Sequence, residues 1–455
     1  MFQTILHREI QETSASPILL FTLVALTILV PLSACIQARY YKFVAEDYNL
    51  RQSVHQAENS SQSIVLIRPL PPLAPFFNGV YDSLPDEFRL PIDSATTNTP
   101  SGDLIPLDWL FPKIDLSFII GVLMTLLTIL LAHDTIARDR DQGALKLVLA
   151  SPVRRRLVLA AKLTGVILPV TVVLIYVVSL YTSVVIFFSR GTVALSIANF
   201  KALTIFTMVA LTVLIASCAI GVAISAAVRQ SSVSLFVCAS IWIVINLIWP
   251  PFGPYVAAIF KTVPTPEAAR REIAFKEKDL IRKELAEHRK TANDLEAQQV
   301  GVKFAWQRYL ELRRKWMERR NKAIGRLVEE RKKQISDQQV FARRISLFSP
   351  YAAFREVLGN LCGTGLESYD EFLTAAERYK QQEFIPKGFD QLSQQKPWVK
   401  GAELEDKLQL PHLQTPAPDL FGRLSAAAWP LSILIAEMII SVALGILIFE
   451  RSDVR

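Results

Sequence analysis

Asp139-Arg140-Asp141-Gln142-Gly143, followed by Ala144 to Ala150, then Ser151-Pro152 and Arg154-Arg155-Arg156, concentrates more chemistry than any other part of the chain. That chemistry is ionic and mechanical, not bond-making. A charged turn of this kind suits docking at a membrane surface. Gly143 allows a tight bend, and Ser151-Pro152 ends the short amphipathic helix between them. Leu145 and Leu149 share one face of that helix. The product is a small stiff element between two apolar runs, of the kind needed to dock something and to transmit force.

Other chemistry is sparse. Cys35, Cys218, Cys238 and Cys362 form no CxxC, and the five histidines are scattered, so neither a zinc site nor a disulfide framework is indicated. No GxxxxGK[ST] sequence occurs, so any ATP and Mg chemistry must come from a partner, and no cofactor is expected on this chain. Glu437 is a carboxylate in the middle of an apolar run, where its charge costs about 3 kcal/mol. It must face a protein interior or an aqueous path, as an interhelical hydrogen-bonding group or as part of a substrate route. Ser217, Gly221 and Ser225, spaced by four, form a small-residue stripe suited to close helix packing. Lys162 is expected to snorkel and Pro169 to kink the third run.

The elements that must position these residues are membrane helices. At 455 residues, 51% hydrophobic and 20% charged, the chain is too apolar for a soluble protein and too charged to lie wholly in lipid. Six runs reach the ~20 residues of helix that cross a bilayer, and backbone in lipid must satisfy its own hydrogen bonds. The expected fold is therefore all-α and polytopic. It comprises a cytoplasmic amphipathic helix (1–16), spans at 17–38, 115–133, 157–188, 202–228, 233–252 and 425–449, and a short tail (450–455). The intervening segments are an outer Pro-rich loop (39–114), the charged loop (134–156), turns at 189–201 and 229–232, and a large outer insertion (253–424).

Orientation follows from charge. Asp134 to Lys162 carries seven basic residues against three acidic, which favours the cytoplasm for this short loop. Glu267 to Arg344 carries 22 Lys/Arg against 13 Asp/Glu, but it lies three spans away and so faces the other side. Short loops govern orientation and long ones do not. Both termini then lie inside.

The outer insertion reads as two long helices packed as an antiparallel coiled coil. Ala274, Ile281, His288, Leu295 and Val302 recur every seven residues, and Trp306, Leu310, Met317, Ile324, Leu327 and Ile335 make a second stripe. The turn is expected near Gln298 to Gly301. Tyr351 to Lys380 is expected to lie on the outer membrane surface. A basic hairpin can suggest nucleic acid, but its interleaved acids and outward side argue against that partner. A solvated hairpin without a ligand and a docking arm for a periplasmic protein or a second permease remain the two readings.

The Asp139–Arg156 stretch resembles the cytoplasmic loop between spans 2 and 3 of ABC-2-type transporter permeases. There an acidic-Arg-acidic-x-Gly run leads through a Ser-Pro/Arg turn to a later Lys. This chain has Asp139 and Asp141 where Glu is usual and Ala144 where Thr is usual. Ile67-Arg68-Pro69-Leu70-Pro71-Pro72-Leu73 with Gly79, Ser349-Pro350 with Gly363-Thr364, and Phe449-Glu450-Arg451 are similar to the same family. The resemblance implies a non-catalytic permease in a bacterial inner membrane, six spans, pairing with a second permease, identical or paralogous, and surrounding lipid. It also implies cytosolic ATPase subunits that push on Asp139, Arg140, Asp141, Gly143, Leu145, Leu149, Ser151, Pro152 and Arg154. Two alternatives stand beside export: a mechanotransmission subunit that drives a periplasmic partner through the hairpin, and a secondary transporter or channel.

Overall fold

The computed structural model describes residues 2–58, 63–91, 114–145, 150, 154–189, 191–193, 196–297, 301–394 and 420–451. Helix α1 (Phe2–Ser14) precedes α2 (Pro17–Glu58). A two-stranded antiparallel ribbon follows, β1 (Ser63–Ile67) with β2 (Glu87–Pro91), in a register that pairs Val65 with Arg89. Then come α3 (Leu116–Asp141), α4 (Arg155–Ser189), α5 (Ile197–Ala227) and α6 (Ser231–Phe260). The chain continues through α7 (Pro266–Ala297), α8 (Val302–Ser346), α9 (Pro350–Cys362), α10 (Leu366–Tyr379), α11 (Ile385–Gln394) and α12 (Leu420–Arg451). Among the described residues, six helices are long and apolar enough to cross a membrane: α2, α3, α4, α5, α6 and α12.

α5 is the hub of the bundle, with α3, α4, α6, α9 and α12 packed around it. Its small residues make this geometrically feasible. Gly221 lies against Ala132 of α3 so closely that a Cβ there would come within 2.7 Å of the alanine methyl, and Gly445 of α12 faces Ala223. Close backbone approach lets van der Waals packing hold helices that lipid itself does not drive together. α3 begins at Asp115, whose carboxylate caps it by accepting from the Phe118 amide at 2.9 Å. It contains a π-helical turn, Ile119–Met124, and a break at residues 133–136 before its last helical turn, Ala137–Asp141.

Several bounds differ from the sequence expectation. The first span was expected to end at 38, but α2 continues to Glu58. Residues 39–58 contain no Pro or Gly, so nothing stops the helix. Tyr41 is buried, and Arg51 bridges Asp47 and Asp86 at 2.6 and 2.9 Å, which secures the extension to the ribbon. Similarly, α6 runs past 252 to Phe260, and α12 starts at Leu420.

The first helix after Ser349 does not lie on a surface. In α9, Phe354, Val357, Leu358, Leu361 and Cys362 are all buried, and the helix sits among α5, α12 and α3. Its apolar residues continue around most of the helix, which suits burial on several sides. Ser349 caps its start, and Gly363, in the left-handed region at φ 74°, caps its end. Beyond that cap, the Thr364 carbonyl accepts from the Val80 amide at 3.2 Å, with Gly79 (φ 57°) pressed against the same residue. The Pro-rich loop is thereby joined to α9. Arg68 completes the joint: its guanidinium lies 3.9 Å from the Tyr81 ring centre and 5.3 Å from that of Tyr369. Burial pushes the Arg68 guanidinium pKa down.

α7 and α8 pack along each other, with Leu310, Met317 and Ile324 of the second expected stripe buried on α8 and His288 of the first in the contact. Ala274 is exposed and Ile281 is 37% exposed. The face turned toward α8 contains Glu284, Glu287 and His288. Glu284 pairs with buried Arg320 at 3.1 Å, Glu287 accepts from Trp316 Nε1 at 2.8 Å, and His288 packs on Tyr309. On the α7 side the contact is this polar, and the Ala274 and Ile281 positions of the expected heptad fall outside it. α8 opens at Gly301, within the turn region expected; residues 298–300 lie outside the described set. At its other end α8 runs antiparallel to the end of α6. Gln338 donates to the Lys261 carbonyl at 2.7 Å and Ser346 to the Pro250 carbonyl at 2.9 Å.

Candidate functional site

The last turn of α3 brings three consecutive charged residues to three different parts of the bundle. Ser225 of α5 fixes where that turn begins, since its Oγ accepts from the amides of Ile136 and Ala137, both at 3.0 Å. These are the unpaired N–H groups of a helix start. Gly143, at φ 73°, ends the turn, and its amide donates to the Arg140 carbonyl at 3.1 Å. Leu145 is fully buried.

Asp139 points inward. It is 5% exposed and its Oδ2 lies 2.6 Å from Nζ of Lys162 in α4. Lys162 is itself 3% exposed; its ammonium also reaches Glu9 of α1 at 3.1 Å and donates to the Thr135 carbonyl at 2.6 Å. Two carboxylates and a carbonyl thus surround the ammonium. Lys162 therefore does not snorkel. With two carboxylates and a carbonyl within reach, a buried position gives it better partners than the interface would. Gly165, one turn further along α4, leaves space for Glu9: a Cβ there would come within 2.6 Å of the glutamate side chain.

Arg140 and Asp141 reach the turn between α5 and α6. Arg140 donates to the carbonyls of Ala226 and Val228, each at 3.1 Å, at the end of α5 where partial negative charge gathers. Asp141 accepts from the Ser231 amide at 3.1 Å, at the start of α6 where partial positive charge gathers. Ser234 of α6 adds a bond to the His133 carbonyl at 2.6 Å. A second strap lies nearby: Arg156 at the start of α4 pairs with Glu450 at the end of α12 at 2.6 Å, and Arg155 donates to the Glu450 carbonyl.

α1 belongs to this arrangement. It turns Glu9 and Thr13, both buried, toward the protein, and Phe2 is exposed. Glu12 and Arg8 extend the ionic network, with Arg8 3.9 Å from Asp139 and Glu12 bonded to Arg138. Burial pushes the Glu9 carboxyl pKa above the ordinary 4.5, against the opposing pull of Lys162, which is shared with Asp139. A carboxyl raised in the folded state contributes stability that is greatest below its ordinary value and declines as pH rises through the raised one. Glu9→Gln should therefore flatten the acid-side dependence of thermal stability without large loss near neutrality, checked by melting curves of both proteins across pH 4 to 8.

Of the residues singled out by sequence, the structure joins Asp139, Arg140, Asp141, Gly143, Leu145 and Ser225 in this one region. Leu149, Ser151 and Pro152 lie outside the described residues, and Arg154 is exposed at the entry to α4. Gly221 lies against Ala132 of α3, and buried Ser217 donates to the Val213 carbonyl of its own helix at 3.0 Å. Glu437 stands apart, half-buried in α12, with Oε2 lacking a partner among the described residues. Glu9 and Thr135 were missed, since each is an ordinary polar residue until the fold brings Lys162 beside it. No group of three or more metal-ligating side chains occurs among the described residues.

A family model described as ABC-2 family transporter protein matches residues 3–454, nearly the whole chain, and the chain belongs to that family. It matches no curated protein.

Proposed function

We propose that this ABC-2 family membrane protein is the permease subunit of an ATP-driven exporter in a bacterial inner membrane, with both termini in the cytoplasm. Separate cytosolic ATPase subunits hold ATP and Mg and press on the Asp139–Pro152 element. This chain pairs with a second permease and supplies no hydrolysis of its own. The observation that carries the reading is the threefold grip of consecutive residues: Asp139 on α4 and α1, Arg140 on the end of α5, Asp141 on the start of α6. A displacement of the element cannot occur without moving or breaking its hold on those helices. Short charge-assisted bonds resist breaking, so movement of the helices follows. Closure of the ATPase pair then tilts the spans and changes access between the two membrane halves.

Purification of the intact complex from native membranes tests this. A nucleotide hydrolase should accompany the chain in stoichiometric amount. Transport by the chain purified alone would overturn the reading.

The length of the hairpin favours a second reading, in which the same stroke is delivered outward. α7 and α8 have 32 and 45 residues, about 48 and 68 Å at ~1.5 Å per residue. α8 is seated directly on α6, which Asp141 holds at its other end. Under this reading the hairpin actuates a partner and cargo need not pass through the spans. Deleting the hairpin separates the two: an exporter keeps basal cargo movement, and a transmission subunit loses all output.

A further inference from the structure

The outward face of α7 carries a stripe that nothing in the fold uses. Arg271, Phe275, Lys278, Arg282, Leu285 and Arg289 follow one another at intervals of three or four and are all exposed, Phe275 by 79% and Leu285 by 61%. At 100° per residue they fall within one narrow sector of the helix, about 27 Å long. Arg271 has exposed Glu267 at 3.8 Å. Lys278, Arg282 and Arg289 have no carboxylate within 4 Å among the described residues. The acidic residues of α7 that touch α8, Glu284 and Glu287, are on the opposite side and already engaged.

We propose that this stripe is a docking face for an acidic, amphipathic helical surface of a partner protein. Lys278, Arg282 and Arg289, three cations without a carboxylate partner among the described residues, supply charge complementarity, with Arg271 beside them. Phe275 and Leu285 supply the apolar contacts that an anionic polysaccharide could not answer, and their spacing matches a helix laid alongside. A membrane surface fits less well. α8 overlaps α6 antiparallel only over its last turns, and the rest of the hairpin continues beyond the end of α6, away from the span. A second copy of the chain meeting it stripe to stripe presents the same positive charge and is repelled. The inference rests on the permease reading only for which side of the membrane the stripe occupies.

The test uses the full-length protein in native membranes, with a photoreactive benzoylphenylalanine replacing Phe275. Irradiation should give one discrete protein adduct, whose cross-linked peptide, read by mass spectrometry, comes from a helix rich in Asp and Glu. The double variant Lys278→Glu, Arg282→Glu should lower its yield about tenfold, and exchanging the partner's acids for lysines should restore it. Adducts only to lipid, only to a second copy, or to no molecule overturn the proposal, as does a protein adduct indifferent to the charge reversal. Nucleotide hydrolase recovered in the same preparation reports separately on the permease reading, so failure of one does not mimic failure of the other.

Discussion

Replacing Lys162 by methionine should cost about 3–5 kcal/mol of folding stability and abolish transport-coupled ATP turnover. The substitution keeps length and apolar bulk but leaves Asp139 and Glu9 buried without their cation, and removing one partner of a buried pair leaves the other's desolvation uncompensated. Thermal unfolding in detergent reads the first effect and stimulated ATPase activity the second. A triple variant separates stability from coupling. Glu9→Gln, Asp139→Asn and Lys162→Met together remove all three charges, and neutral replacement of a buried ionic cluster is often tolerated. Its melting temperature should return most of the way to that of the natural protein, while coupling stays defective because the α3 turn no longer holds α4 by charge. A Lys162→Met protein as stable as the natural one would contradict the buried-network account.

The second large effect is expected at the α3 turn itself. Arg140→Glu removes two charge-assisted bonds to the Ala226 and Val228 carbonyls, and places a negative group against the negative end of α5. Gly143→Pro acts differently: proline is confined near φ −65° and cannot adopt 73°, and it has no amide for the Arg140 carbonyl. Each should reduce stimulated ATP hydrolysis to the basal level. Neither should impair membrane insertion, because the apolar spans are untouched. Normal transport by both variants would refute the coupling role. Gly143→Ala is the milder control. Its Cβ would meet nothing within 4 Å, so only the left-handed backbone opposes it, at about 1–2 kcal/mol.

The six spans were legible because each is a long apolar run, and the Asp139–Gly143 element was legible because its residue types and spacing are unusual for a loop. Their partners were not. Lys162 meets Glu9 across 153 residues, and Asp141 meets Ser231 across 90. No local pattern encodes either pairing. Lys162 read as a residue that would reach for the interface, since a lone lysine in an apolar run does so unless acids converge on it. The helical extension of α2 was hidden because polarity marks the end of a span, not the end of a helix. α9 was misread for the opposite reason: aromatic and aliphatic residues suit a membrane surface and a crowded bundle equally. On the α7 side of the hairpin, a salt bridge and a Trp–Glu bond stand where a heptad search expects apolar residues, while Leu310, Met317 and Ile324 on α8 follow the expected stripe.

The most direct measurement places a benzoylphenylalanine at Gln142, exposed between the Asp141 grip and the Gly143 bend, in the complex purified from native membranes. The account predicts an adduct with a nucleotide-hydrolysing subunit, with a yield that changes between nucleotide-free and ATP-bound states. A hydrolase adduct obtained from a probe on α7, with none from Gln142, would put the motor on the other face and contradict it.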